Sequence, residues 1–360
     1  MKIIPLAKPI IGRSERRAVM KVLKTGNLAQ GPEVKAFEEE FSKFVENREC
    51  VAVNSGTSAL HVALLSIGIT EGDEVIVPSF TFAATANSVS LTGAKPVFVD
   101  IDPLTYNIDP KEIEKAITPK TRAIQVVHLY GLPANMPEIV KVAEKNSLMI
   151  IEDAAQAHDA RIKNKPVGTF GDVAAFSFYP TKNITTGEGG MVVFKDSGAA
   201  RTAKLLRNQG MEVRYQNEIV GFNLRMTDIH ASIGRQQLKN LKKWNEKRRD
   251  NACFISEKIR PDLVPYVPND FYHVYHQFTM RLRSKRNEFA AALSENGISN
   301  GIYYPKAVHA LPSFQFNLSL PHTELATQQV LSIPIHPRLT KLERRKITQI
   351  LNKIYEDFYE

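Results

Sequence analysis

The 360-residue chain has 43% hydrophobic and 8% aromatic residues, a formal net charge of +9 and only two cysteines. That composition excludes a disordered chain and a disulfide framework, and no apolar run reaches the ~20 residues needed to cross a bilayer. Cys50 and Cys253 lie far apart without metal-ligand spacing, so a reducing cytoplasm, no structural disulfide and no metal site are expected.

Residues 14–23 and 34–45 read as amphipathic helices, the second with Val34, Phe37, Phe41, Phe44 and Val45 on one side. The strand 49–54 runs into the small-residue turn Ser55-Gly-Thr-Ser58 and a helix over 59–67. Strand, turn and helix in that order bring free N–H groups and a helix N-terminus to one point, which suits a phosphate. Strands at 73–78, 96–100, 123–128 and 147–153 then alternate with helices at 81–91, 110–116 and 136–146. This rhythm predicts a largely parallel sheet covered on both faces, with ligands beyond the carboxyl ends of its strands.

A further apolar strand, 174–178, stops at Tyr179-Pro180 and leads through Lys182 to the glycine-rich Gly187-Glu-Gly-Gly190. After the strand 191–194 and the polar helix 197–209, residues 220–230 are loop-like and turn helical after a Thr227 cap. The basic run 235–249, with Leu238, Leu241 and Trp244 at helical spacing, reads as a solvated helix face; it lacks the interleaved aromatic residues of a nucleic-acid site. Beyond about 245 come a helix, a strand at 275–282, a helix at 285–296 and the proline-rich stretches 303–309 and 331–337. The division expected is a large α/β domain over 1–245 and a smaller α+β domain over 246–360.

Three features meet at strand ends: the turn at Ser55–Ser58, Asp153 closing an apolar strand, and Lys182 on a loop rim. A partly desolvated lysine becomes a nucleophilic amine, and a carboxylate can keep a pyridine nitrogen protonated. With a phosphate turn, the set suggests pyridoxal 5'-phosphate.

In that order the motifs Gly31-Pro32, Asn54-Ser-Gly-Thr-Ser-Ala-Leu-His61, Pro78-Ser-Phe-Thr-Phe82, Asp100-Ile-Asp102, Glu152-Asp-Ala-Ala-Gln-Ala157, Ser177-Phe-Tyr-Pro-Thr-Lys-Asn183, Gly187-Glu-Gly-Gly190, Gly221-Phe-Asn-Leu-Arg225 and the segment from Tyr304-Pro305 to His309 span nearly the whole chain. The sequence resembles the DegT-type sugar aminotransferases, fold-type I pyridoxal-phosphate enzymes. The resemblance implies that Lys182 forms the Schiff base and Asp153 pairs with the pyridinium. It implies that Gln156 bonds the phenolic oxygen, that Phe82 stacks on the ring, and that Gly56, Thr57 and Ser177 hold the phosphate. Asn223 would reach the same phosphate from the neighbouring subunit of a homodimer. Arg225, Tyr304 and His309 are substrate-side candidates.

The family commonly has glycine where this chain has Asp159, which would disturb a turn beside the cofactor, and often tyrosine where it has Leu224, which would alter the substrate pocket. The implied reaction moves an amino group from L-glutamate to a nucleotide-linked keto-sugar, a 4-keto-6-deoxyhexose, for amino-sugar or cell-surface polysaccharide synthesis. A 3-keto sugar or ketocyclitol acceptor and a non-catalytic cofactor-binding regulator are the alternatives. Neither a nucleic-acid nor a membrane partner is expected.

Overall fold

The computed structural model describes residues 3–360; residues 1 and 2 of the first segment lie outside the described residues. Two helices open the chain, α1 (Arg13–Thr25) and α2 (Pro32–Ser42). The first ends on Gly26 at φ 74°, a left-handed cap that glycine adopts without strain. A βα series follows: β1 (Glu49–Val53), α3 (Gly56–Ser66), β2 (Glu74–Pro78), α4 (Ala84–Ser90), β3 (Lys95–Val99), α5 (Pro110–Ala116), β4 (Thr121–Val127), α6 (Met136–Lys145) and β5 (Met149–Asp153). A small hairpin, β6 (Arg161–Ile162) and β7 (Lys165–Pro166), precedes β8 (Val173–Ser177) and β9 (Gly190–Phe194).

The seven long strands form one sheet in the order β1-β9-β8-β5-β4-β2-β3. Only β9 runs antiparallel to its neighbours; the other pairs are parallel. Every residue of β2, β8 and β9 is buried, as continuous apolar runs require when helices cover both faces of a sheet. Side chains divide by alternation. Val51, Val53, Val173, Ala175 and Val192 pack under α3, α4 and α7 (Ser197–Arg207), while Cys50, Ala52, Ala174, Phe176 and Val193 face α2 and α8 (Asp228–Leu238). On that second face the Phe37 ring lies 5.2 Å from Phe178 and 6.2 Å from Phe41. Asp228 Oδ1 accepts the Val34 N–H at 3.0 Å, so α8 caps α2.

Beyond α8 the basic run is not one helix. It breaks at Lys239-Asn240, α9 (Leu241–Ser256) starts afresh, and its charges are not all solvated: Arg248 is buried and Arg235 pairs with Glu33 and Glu40. The remaining elements are β10 (Phe271–Tyr272), β11 (Phe278–Arg281), α10 (Arg286–Glu295), α11 (Pro321–Gln329), β12 (Val330–Ile333) and α12 (Lys341–Tyr359). A separate core gathers Ala252, Ile255, Phe278, Met280, Phe289, Leu331, Ile333 and Leu351. Ile4 joins it, bridged to Ile298, so the start of the chain packs with the C-terminal elements.

Removing the Phe37 ring should cost about 3–5 kcal/mol, because sheet and helix backbones cannot close the resulting cavity. Denaturant unfolding of Phe37→Ala checks this; a loss under about 1 kcal/mol would show that the α2 face is not tightly packed.

Candidate active site

Because the strands are parallel, their carboxyl ends open on one side of the sheet. Asp153 is the last residue of β5 and Ser177 the last of β8, while Ser55 follows β1 and caps α3 by accepting the Ser58 N–H at 3.1 Å. Residues 79–82 follow β2 and residues 128–130 follow β4 on the same side.

Asp153 is 5% exposed. Thr85 donates its hydroxyl to Oδ2 at 2.9 Å, and the Ala155 N–H reaches Oδ1 at 3.2 Å. Burial raises the carboxyl above its usual range, and these two hydrogen bonds and the nearby Lys182 only partly offset it. Beneath it, Glu152 is completely buried yet fully partnered. Oε1 accepts the N–H groups of Phe170 and Gly171 at 2.8 and 2.7 Å, and Oε2 accepts Gly168 N–H at 2.8 Å and His128 Nε2 at 2.9 Å. Ala134 N–H donates to His128 Nδ1, which puts the ring proton on Nε2, aimed at Glu152. The His128 N–H also donates to the Asp153 carbonyl at 3.1 Å, tying this pair to the strand end.

Lys182 sits on the loop after β8. That loop is fixed by Lys182 N–H to Tyr179 O at 2.9 Å, Thr185 Oγ1 to Phe178 O at 2.8 Å, and Asn183 Nδ2 to Asn245 Oδ1 at 2.8 Å. Burial lowers the ammonium to about 8, against an opposing pull from Asp153. Two buried imidazoles feel this cation: burial first, then Lys182, brings His158 down to about 3, and His276 falls well below its ordinary value for the same reasons. Asp153 thus acts on the lysine through space, and the two imidazoles that feel its charge are neutral.

Gly56 and Ser177 meet closely. A Cβ on Gly56 would fall 2.6 Å from Ser177 Cβ, so only glycine lets the start of α3 approach this serine. The first N–H groups of α3, those of Gly56 and Thr57, have no intrahelical acceptor and are free for an anion. Gln156 accepts the Tyr130 N–H at 2.7 Å and donates to Tyr304 OH at 3.2 Å. Phe82 is 60% exposed, with its ring 6.1 Å from that of Tyr304.

Arg225 donates to Asn208 Oδ1 at 2.8 Å and, among the described residues, has no carboxylate partner. Asn223 is exposed, at the end of a surface loop that also exposes Val213, Tyr215, Val220 and Phe222. His309, by contrast, is 3% exposed, with Nδ1 2.6 Å from Ser79 Oγ and its ring against Phe98.

Asp159 stands at φ 68°, in the left-handed region, and pairs with Arg161 at 2.5 Å. The turn is kept rather than disturbed, since aspartate is among the few side chains tolerated there. Leu224 packs against the core under α3. Sequence reading passed over Thr85, His128, Tyr130 and the role of Glu152. The available signal was a polar residue inside an apolar run, as in Ile150-Ile151-Glu152-Asp153, because a buried charge needs partners from elsewhere in the chain.

A buried carboxylate and a desolvated lysine that act on each other, beside a free helix start at the strand ends of an α/β sheet, fit an enzyme of the aminotransferase class. The model of the DegT/DnrJ/EryC1/StrS aminotransferase family matches residues 9–352, and the chain belongs to that family. It is 40% identical over 347 residues to dTDP-3-amino-3,4,6-trideoxy-alpha-D-glucose transaminase of Streptomyces venezuelae, covering 94% of this chain and 90% of that one. It is 38% identical over 352 residues to a pleiotropic regulatory protein of Geobacillus stearothermophilus, covering 95% and 94%. Among solved structures, DesV of S. venezuelae in complex with a ketimine intermediate superposes with a TM-score of 0.91 at 39% identity, over 94% of this chain and 93% of that one.

Glu152→Gln should destabilise the protein by about 3 kcal/mol or more, since the amide NH₂ would face a backbone donor. Burial raises this carboxyl, but His128 and the Gly171 and Gly168 N–H groups outweigh it, and it ends below the ordinary 4.5. Its stabilisation is thus present above the unfolded value and lost as pH falls through the folded one. Thermal unfolding of wild type and variant should differ most near neutrality and converge in acid; a constant difference would contradict this sign.

Proposed function

We propose that this chain is a pyridoxal-phosphate-dependent aminotransferase that moves an amino group from L-glutamate to a nucleotide-linked keto-sugar, in amino-sugar or polysaccharide synthesis. The observation that carries this reading is the placement of Asp153 and a Lys182 lowered to about 8 at neighbouring strand ends. The close approach of Gly56 to Ser177 supplies a cradle for a phosphate. Related structures include a PLP-form of a Streptococcus pneumoniae sugar aminotransferase, 26% identical with a TM-score of 0.94.

When bound, pyridoxal phosphate supplies a protonated pyridine ring that accepts negative charge developing at the amino donor's Cα. Asp153 holds the ring nitrogen protonated, and Thr85 fixes the orientation of that carboxylate. Gly56, Thr57 and Ser177 bind the phosphate, Phe82 offers an exposed face to the ring, and Gln156 Nε2 offers a donor to its phenolic oxygen. The Lys182 amine would carry the cofactor and, once released, would move the proton between the donor's Cα and the cofactor carbon on the far side of the nitrogen. Arg225, without a carboxylate partner among the described residues, is available to an anionic substrate group, and Tyr304 stands beside Gln156 and Phe82. His309 acts through its bond to Ser79, positioning the 303–310 segment.

Asn223 completes the phosphate site of a second copy, and the exposed apolar side chains around it support a homodimer interface. The division into a large domain over 1–245 and a small one over 246–360, in the cytoplasm, is kept with two amendments: Ile4 packs with the small domain's core, and α9 crosses the boundary. Ser58 in the phosphate turn favours a 4-keto-6-deoxyhexose acceptor. A 3-keto acceptor is the second reading, because two relatives at 40% identity carry the 3-position in their names. The regulatory name of another relative does not account for a complete set of Lys182, Asp153 and Gln156 in this chain.

Incubation with glutamate and a panel of 3-keto and 4-keto nucleotide sugars, read by mass, identifies the acceptor; no amino product from any member would overturn the reading. Lys182→Ala should lower turnover by about 10²–10⁴ or more while keeping the fold. Cofactor capture by the apoprotein should accelerate as pH rises through about 8, where the ammonium loses its proton, and then level off. A rate still climbing at pH 10 would mean an ordinary lysine. Mixing inactive Lys182→Ala and Asn223→Ala proteins should recover activity through mixed dimers with one intact site; no recovery would place each site within one subunit.

A further inference from the structure

Several surface cations sit beside carboxylates: Arg201 with Glu212 and Glu218, Lys145 with Glu114, Arg235 with Glu33 and Glu40. On α1, Arg13, Arg16, Arg17, Lys21 and Lys24 are all exposed, and among the described residues none of the five is in an ion pair. At 3.6 residues per turn, these five and the apolar Met20 and Leu23 fall within an arc of about 160°. Met20 is 54% exposed and Leu23 45%. The opposite side is buried through Val22 and Glu15. Glu15, the helix's one acid, turns inward, accepting Gly12 N–H at 2.8 Å and Gln237 Nε2 at 2.9 Å.

The outcome is a rigid helix whose whole solvent face is cationic with two apolar side chains among the charges. Arg16, Arg17, Met20, Lys21 and Lys24 are neighbours on this open face. We propose that this face of α1 docks on an anionic phospholipid bilayer. Basic side chains within a Debye length of anionic head groups each add attraction, and Met20 and Leu23 gain by entering the interface. A nucleic acid fits less well, because no aromatic side chain accompanies the cations to stack on bases. The expectation of no membrane partner rested on the lack of a spanning segment, which peripheral docking does not need. No residue assigned to the active site lies on α1, so this inference stands apart from the catalytic reading.

The test is sedimentation of the full-length, cofactor-loaded protein with phosphatidylcholine vesicles containing about 30% phosphatidylglycerol. Wild type should pellet with these and not with pure phosphatidylcholine, and binding should fall at least about tenfold between roughly 0.1 M and 0.5 M salt. The variant Arg16→Glu, Arg17→Glu, Lys24→Glu should lose binding with its melting temperature and turnover unchanged. Met20→Asp should weaken binding while all five cations remain. Wild type that stays in the supernatant, equal pelleting with uncharged vesicles, or undiminished binding by the triple variant would each overturn the proposal. So would tighter binding of a short DNA duplex than of the vesicles, which would reassign the face to nucleic acid.

Discussion

The attraction between Asp153 and Lys182 across the end of the sheet is the interaction on which the site rests. Each group is held away from water, which raises the carboxyl and lowers the ammonium, and each acts on the other in the opposite sense. Desolvation wins in both cases. The lysine is left close enough to neutrality to be a nucleophile at physiological pH, and the carboxylate keeps a demand for a positive partner. In the proposed function a protonated heterocycle would meet that demand when the lysine is engaged elsewhere.

Such a pair is costly unless its surroundings are fixed, and the fold fixes them in layers. Thr85 holds one oxygen of Asp153 and is itself 2.9 Å from Thr81. Glu152 faces the other side of the strand, satisfied by three backbone N–H groups and a histidine whose own N–H reaches the Asp153 carbonyl. Two buried imidazoles that feel the Lys182 charge, His158 and His276, stay neutral. These partners come from α4 and the segment before it, β5, the residue after β4 and the segments 154–160, 167–171 and 273–276, so the site forms only once the sheet is assembled.

Much of this could be read before folding was considered. Apolar runs such as 174–178 and 191–194 announce buried strands, and the small-residue turn Ser55–Ser58 ahead of a helix suggests a phosphate site. The strand order is another matter, because the antiparallel β9 between β1 and β8 follows from pairing partners far apart in the chain. The basic run 235–249 misled for a similar reason: charge pattern describes a face only after packing decides which side chains are covered, and Arg248 is covered. Asp159 shows the converse. A residue unusual for its turn was visible, but its accommodation through Arg161 was not, since that requires the left-handed backbone and the neighbouring side chain together.

The most direct measurement is reduction of the cofactor-loaded protein with borohydride, followed by peptide mapping. The account predicts one modified peptide carrying the pyridoxyl group on Lys182, formed in wild type and missing in Asp153→Ala preparations that bind the cofactor poorly. A pyridoxyl group on any other lysine, or none at all from protein saturated with pyridoxal phosphate, would contradict it.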